Sequence, residues 1–222
     1  MLNPETLQFL TDLKQNNNKE WFDANRKRYE SAKADYHQFT QTLIIEAQAI
    51  NPIFEHLQVK DCVFRINRDI RFSKDKSPYK TNFGIVLQPL GKRLQAAAYY
   101  CHIDPNECFV GGGIWQPEAA LMKKIREEID YNFKGFKAII DNPTFKSIFK
   151  ELDVEEGQKL QRPPKGYDES NPAIEYLKLK SFTASAHIDV KMMTSPKLKD
   201  AVIEKFKAIA PYIDFLNKAI LA

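Results

Sequence analysis

Apolar residues recur along this chain with two periods, and each change of period marks an element. Asn3 followed by Pro4 has the form of a helix N-cap and first-turn residue. Leu7, Leu10 and Leu13 then supply one apolar face, which predicts a short helix ended by the run of three asparagines at 16–18. From Asn18 onward Phe22, Tyr29, Ala32, Tyr36, Phe39, Leu43, Ala47 and Ile50 recur at helical spacing, which predicts one longer helix ended by Asn51 and Pro52.

At Cys62 the period drops to two. Cys62, Phe64, Ile66, Arg68, Ile70 and Phe72 alternate with Val63, Arg65, Asn67, Asp69, Arg71 and Ser73, which predicts a strand with an apolar and a polar face. A loop, SKDKSPYK, follows. Further strands are expected over 83–87, over 94–103, and from Cys108 through Val110 into Gly111, Gly112 and Gly113, with a turn at Asp104, Pro105 and Asn106. This order predicts an antiparallel meander.

After Gln116 and Pro117 the helical period returns, carried by Leu121, Ile125, Ile129, Phe133, Phe136, Ile139 and Ile140. Residues 157–172 read as a loop and 177–190 as holding one more strand. Ser195 and Pro196 open a last helix striped by Leu198, Val202, Phe206, Ile209, Ile213, Leu216 and Ile220, with Pro211 expected to kink or split it. The chain therefore reads as a single α+β domain over 1–222. It has a helical region at 1–52, a β-meander at 60–115, and a helical region at 116–222 containing one further strand.

Composition supports a packed core: 43% of the 222 residues are hydrophobic, including 15 Phe and 9 Tyr. The formal net charge of +4 is well short of that of an arginine-rich nucleic-acid binder, so the placement of charge matters more than its sum. Cys62, Cys101 and Cys108 form no CxxC pair, and the N-terminus lacks a basic start followed by a long apolar run. These features lead to the expectation of a cytoplasmic protein with reduced thiols and no membrane partner.

The charge is concentrated in FRINRDIRFSKDKSPYKTNFG, residues 64–84. The alternation puts Arg68 on the apolar face, where a guanidinium needs a carboxylate or a bound anion beside it. Arg65 and Arg71 lie on the polar face, with Lys74, Lys76 and Lys80 on the loop beyond. Arginine forks and mobile lysines suit a phosphate or carboxylate, and Tyr79 offers stacking or a hydrogen bond. Asp69, between two arginines, is the best candidate for an acid–base or orienting role. The competing readings are a non-catalytic module for nucleic acid or an acidic partner, with Phe72, Tyr79 and Phe83 interleaved among the bases, and a salt-bridge network that locks the fold.

The segment resembles the signature of the domain of unknown function 2461 family. The matching positions are Arg65, Arg68, Asp69, Arg71, Phe72, Ser73, Lys76, Pro78, Tyr79 and Lys80. The likeness extends to NNNKEWFDANRKRYE, YYCHIDPNECFVGGGIWQP and RPPKGYDESNP. It implies membership of an uncharacterised family with a compact intracellular domain, and it carries over no reaction and no catalytic residue.

Other features are secondary. In GGGIWQP, Gly112 and Gly113 would let backbone amides approach an anion, or simply allow close packing. In RPPKGYD, Arg162, Lys165 and Tyr167 sit on a proline-braced loop able to cover a ligand or wrap the domain. Two HxD pairs, His102 with Asp104 and His187 with Asp189, are too short a pattern to assign a metal site, and Pro105 marks Asp104 as a turn residue. The sequence names no cofactor and no oligomeric state. The reading it supports is a phosphate- or carboxylate-bearing small molecule held in a basic pocket, with or without catalysis.

Overall fold

A computed structural model describes residues 1–88, 95–154 and 157–221. The fold is α+β. Helices α1 (Pro4–Gln15), α2 (Lys19–Ala24), α3 (Arg26–Ala47) and the one-turn α4 (Val59–Cys62) precede strands β1 (Phe83–Leu87), β2 (Ala98–Ile103) and β3 (Cys108–Ile114). Helices α5 (Ala119–Tyr131), α6 (Phe133–Ile140), α7 (Pro143–Phe149) and α8 (Ile174–Leu177) follow, then β4 (Phe182–Ile188) and α9 (Leu198–Leu221). The four strands form an antiparallel meander in the order β1-β2-β3-β4. The chain folds into two compact units. The first is Met1–Leu87, Tyr100–Val110 and His187–Glu204; the second is Gln88–Tyr99, Gly111–Ala186 and Lys205–Ala222.

In the first unit, α1 starts where Asn3 accepts a hydrogen bond from the Glu5 amide and Pro4 occupies the first turn. The expected single helix from Asn18 is instead two. Asn25 leaves helical geometry (φ −103°, ψ 18°) and donates its side-chain amide to the Trp21 carbonyl at 2.9 Å, which ends α2 and begins α3. Phe22, Tyr36, Phe39 and Leu43 are buried from these helices, each worth about 1.5–3 kcal/mol of apolar transfer. The Tyr36 ring stacks on Phe83 with centroids 4.4 Å apart, and its hydroxyl donates to the Gly84 carbonyl.

The strand expected over 62–73 does not form. Cys62 ends α4, and the segment after it pairs only at isolated points, Val63 with Ile85 and Asn67 with Tyr79. The Arg68 amide donates to the Pro78 carbonyl at 2.9 Å and the Lys80 amide to the Ile66 carbonyl at 2.8 Å, so residues 67–79 make an irregular hairpin. Of the six positions of the predicted apolar face, Cys62 and Ile66 are buried, whereas Phe64 is 46% and Phe72 96% exposed. Side chains take up the backbone groups that a ladder needs. Lys76 Nζ donates to the Ile70 carbonyl, Lys80 Nζ donates to the Arg65 carbonyl, and Asp69 accepts from the Arg71 amide.

In the second unit, Ile125, Ile129 and Phe182 are buried, and the rings of Phe136 and Phe145 lie against Tyr212 of α9 at 6.3 and 5.9 Å between centroids. The predicted stripe from Leu198 to Ile220 is buried throughout, and α9 continues through Pro211 as one helix without splitting. The strand expected over 94–103 is β2, which starts at Ala98; Leu94 lies outside the described residues. Just before β2, Asn217 of α9 accepts from the Ala97 amide at 2.9 Å and donates to the Ala97 carbonyl at 3.1 Å.

Candidate functional site

The basic segment divides into a tip and a base. At the tip, Arg68 pairs with Asp75 and reaches Ser73 Oγ at 3.4 Å, while Asp75 also accepts from the Ser77 amide and hydroxyl at 2.9 and 2.6 Å. The Ser77 donors first, and Arg68 after them, hold the Asp75 carboxyl well below the usual carboxylate range. Arg71 grips Asp69 with Nε at 3.0 Å and Nη2 at 2.6 Å, and that fork lowers the Asp69 pKa. Asp69 is therefore ionised and exposed, suited to orienting Arg71 rather than to donating a proton. Arg68 is partly exposed rather than buried, and the carboxylate it needs comes from its own hairpin.

At the base the pattern reverses. Lys80 donates to the Arg65 carbonyl at 3.0 Å and lies 5.2 Å from the Phe64 ring centroid. Neither Lys80 nor Arg65 meets a carboxylate among the described residues. Burial first, and the Arg65 charge second, push the Lys80 pKa down. Lys74 is exposed with no ion pair among the described residues, whereas Lys76 is tied to the Ile70 carbonyl at 2.9 Å. Tyr79, expected at the ligand, turns inward: it is 6% exposed, stacks on Phe22 at 4.0 Å, and exchanges two backbone hydrogen bonds with the Asn17 side chain. Tyr79 thus fixes the base of the hairpin to α2.

Beside this base lies a polar and aromatic cluster that the linear pattern does not announce. Tyr100 and His102 alternate with the buried Tyr99, Cys101 and Ile103 of β2, so they share the half-buried face of the sheet. His102 Nδ1 is 3.1 Å from the Tyr100 hydroxyl and 3.3 Å from the Asn82 amide nitrogen, and the imidazole stacks on Phe109 at 4.7 Å. A Cβ on Gly84 would fall 2.7 Å from Tyr100 Oη and 3.3 Å from Phe64, so glycine leaves the room these two side chains occupy. Burial raises the Tyr100 pKa to about 12. It also lowers that of His102, against the pull of Asp104 and Glu107. The sequence signal was present in the HxD pair, but His102 takes its partners from Tyr100 and Asn82 while Asp104 closes the turn onto the Asn106 amide at 2.8 Å.

Gly112, Gly113 and Lys165 fall in the second unit, whereas the basic hairpin belongs to the first. Gly113 has φ +122°, and a Cβ there would sit 2.0 Å from the Phe182 carbonyl oxygen; one on Gly112 would strike Ile213 and the Ala98 carbonyl. Both glycines are accounted for by close packing. Lys165 is an exposed turn residue, and the RPPKGYD loop is followed by Asn171, which donates to Asp130 at 2.7 Å. All three cysteines are buried thiols, and the Cys108 contact followed by burial pushes the Cys101 thiol up, away from nucleophilic behaviour. Among the described residues no group of three or more His, Cys, Asp or Glu side chains gathers to hold a metal. A groove of about 480 Å³ between α1 and α3 is lined by Glu5, Thr6, Lys27, Arg28 and Asp35; Asp35 is engaged by Thr6 and the Asn3 amide, and Arg28 by Asp12.

An α+β chain with a basic hairpin signature is the class these features define. Residues 5–215 match the family described as conserved hypothetical protein (DUF2461), and the chain belongs to that family. No curated protein and no solved structure matches it. No helix among the described residues is long and apolar enough to cross a membrane.

Proposed function

We propose that this protein binds a phosphate- or carboxylate-bearing small molecule, with the anionic group held by Arg65 and Lys80. The observation that carries the reading is the partly buried Lys80 ammonium, held on the Arg65 carbonyl at 3.0 Å and feeling the charge of the exposed Arg65, with no ion pair for either among the described residues. The Lys80 ammonium is partly desolvated and is also repelled by the Arg65 charge; a bound anion relieves both costs. Arg65 supplies a two-pronged donor and Lys80 a point charge, the usual pairing for phosphate. Lys74 is exposed and adds to the positive field without being fixed in place.

The tip supports a different role. The Arg68–Asp75 and Arg71–Asp69 pairs close on themselves, which favours a hairpin-holding function for that half of the signature. The test is isothermal titration with inorganic phosphate and with succinate, on the wild type and on the Arg65→Met/Lys80→Met double variant. Saturable binding lost in the double variant and kept in Arg68→Met is the expected result. Binding that needs Arg68 as much as Lys80, or none at all, would sink the reading. Affinity that instead grows with the length of a single-stranded oligonucleotide and falls steeply with salt would point to a nucleic-acid module.

A further inference from the structure

The groove between α1 and α3 is polarised along its length. The two helices run antiparallel beside it. At one end Asp35 accepts from the Asn3 amide at 2.9 Å and from Thr6 Oγ1 at 2.6 Å; at the other Arg28 holds Asp12 at 2.6 Å. On α3 the lining residues Lys27, Ser31 and Asp35 fall at i, i+4 and i+8, one stripe over which the helix rises about 12 Å. Glu5 precedes Thr6 on α1, so the two lining carboxylates mark one end and the Lys27 ammonium the other. Neither Glu5 nor Lys27 has an ion pair among the described residues. The carboxylates nearest to Lys27 in sequence are spent, Asp23 on Arg26 at 3.0 Å and Glu30 on Lys33 at 3.5 Å. Among the described residues Asp35 is bonded through Oδ2 alone, which leaves Oδ1 free to accept. Gln8 spends only its amide nitrogen, on Asp12 at 2.8 Å, and the Ser31 hydroxyl makes no bond among the described residues.

We infer that this groove binds a short peptide of about three residues by its two ends. Its ammonium donates to Asp35 Oδ1 and Glu5, its C-terminal carboxylate takes Lys27, and its peptide groups bond Ser31 Oγ and Gln8 Oε1. Spacing selects the class. A single α-amino acid carries both charges on one carbon and reaches one end of the groove at a time. An extended tripeptide sets its charges about 10 Å apart, a gap that the long side chains of Glu5 and Lys27 close from either end. Its backbone also supplies a donor and an acceptor to the amide and the hydroxyl between them, which an apolar spacer would leave unbonded. The volume of about 480 Å³ is that of a small-ligand pocket. Neither Arg65 nor Lys80 lines the groove, so this site is separate from the anion site proposed above.

Triglycine, glycine, N-acetyl-triglycine and triglycine amide are the probes, titrated into isotope-labelled wild type and followed by amide NMR. Triglycine should shift the backbone amides of Glu5, Gln8, Lys27 and Ser31 saturably, and bind about tenfold more tightly than glycine. Blocking either end should weaken it about fivefold, the upper range for an exposed charge pair. Lys27→Met should erase the difference between triglycine and its amide, and Glu5→Gln should narrow the difference between triglycine and its N-acetyl form. The Arg65→Met/Lys80→Met variant should bind triglycine as the wild type does. No saturable shift at these amides overturns the inference, as does glycine binding as tightly as triglycine. An N-acetyl form as tight as the free peptide reduces the groove to an anion site, an amide as tight reduces it to a cation site, and either result overturns the inference with no substitution needed. Each of these outcomes leaves the hairpin reading standing. Triglycine binding lost in the Arg65→Met/Lys80→Met variant puts the peptide on the hairpin and overturns the groove.

Discussion

Arg68 and Arg71 at the tip of the 67–79 hairpin each face a carboxylate of the same hairpin, seven and two residues away in sequence. Arg65 and Lys80 at its base face none among the described residues, and they stand where Tyr79 and Asn17 hold the backbone still. Both pairs are cations of one short segment, and their surroundings separate them. Cations that answer their own carboxylates in water contribute little to stability and have small free capacity for an outside anion. A cation partly out of water on an anchored backbone, with a second cation near it, has unmet demand. A count of lysines and arginines cannot make this distinction; the partners do.

The comparison can be broken most forcefully at its anchor. Tyr79→Ala removes a buried ring stacked on Phe22 and should cost about 3 kcal/mol in a urea unfolding titration, with loss of phosphate binding at protein concentrations where the fold survives. Next in size, the Arg65→Met/Lys80→Met variant should weaken phosphate binding on the order of a hundredfold at unchanged unfolding midpoint, because two charge-assisted contacts go and no carboxylate is orphaned. Third, the depressed Lys80 pKa has a sign that can be measured. Between its folded and unfolded pKa values the unfolded chain binds more protons, so this group's contribution to stability rises with pH there. An anion that restores the ordinary value must bring a proton with it. Phosphate binding at a pH just below the ordinary lysine pKa should therefore show proton uptake in buffers of different ionisation enthalpy. The smallest effect belongs to the tip. Arg68→Met should leave phosphate affinity as it is and only speed exchange of the backbone amides at positions 68 and 80. Asp75 has a lowered pKa, so its contribution is present above the ordinary Asp pKa and fades only as pH falls through the lower folded one. In the wild type the tip should stay closed throughout the ordinary carboxylate range, as judged by the same amide protons.

Much of the fold was legible where one local signal sufficed. Asn3 and Pro4 start α1, and the stripe from Leu198 to Ile220 is buried as α9. The 62–73 segment misled because period two describes side chains only. It says nothing of whether backbone groups are left for a partner strand, and here Lys76, Lys80 and Asp69 take several of them. Phe72 fits the apolar half of the pattern, yet it falls at a hairpin tip with nothing to cover it. The basic half of the site was visible as a run of charge. His102, Tyr100 and Asn82 were not visible as a cluster, because Asn82 lies 20 residues away from His102 and only the pairing of β1 with β2 brings it there. Asn25 is a third kind of case, a single side chain ending one helix and starting another inside an unbroken helical period.

The bond pair between Asn217 and Ala97 has a consequence in time. Asn217 gives Ala97 what a neighbouring strand would give, one acceptor and one donor, across 120 residues of chain. A ribosome adding about ten residues per second makes Ala97 on the order of ten seconds before Asn217. Throughout that interval the peptide group ahead of β2 lacks this partner, available to any other nascent strand. The last turns of α9 are therefore both a piece of the core and the event that ends this interval during synthesis.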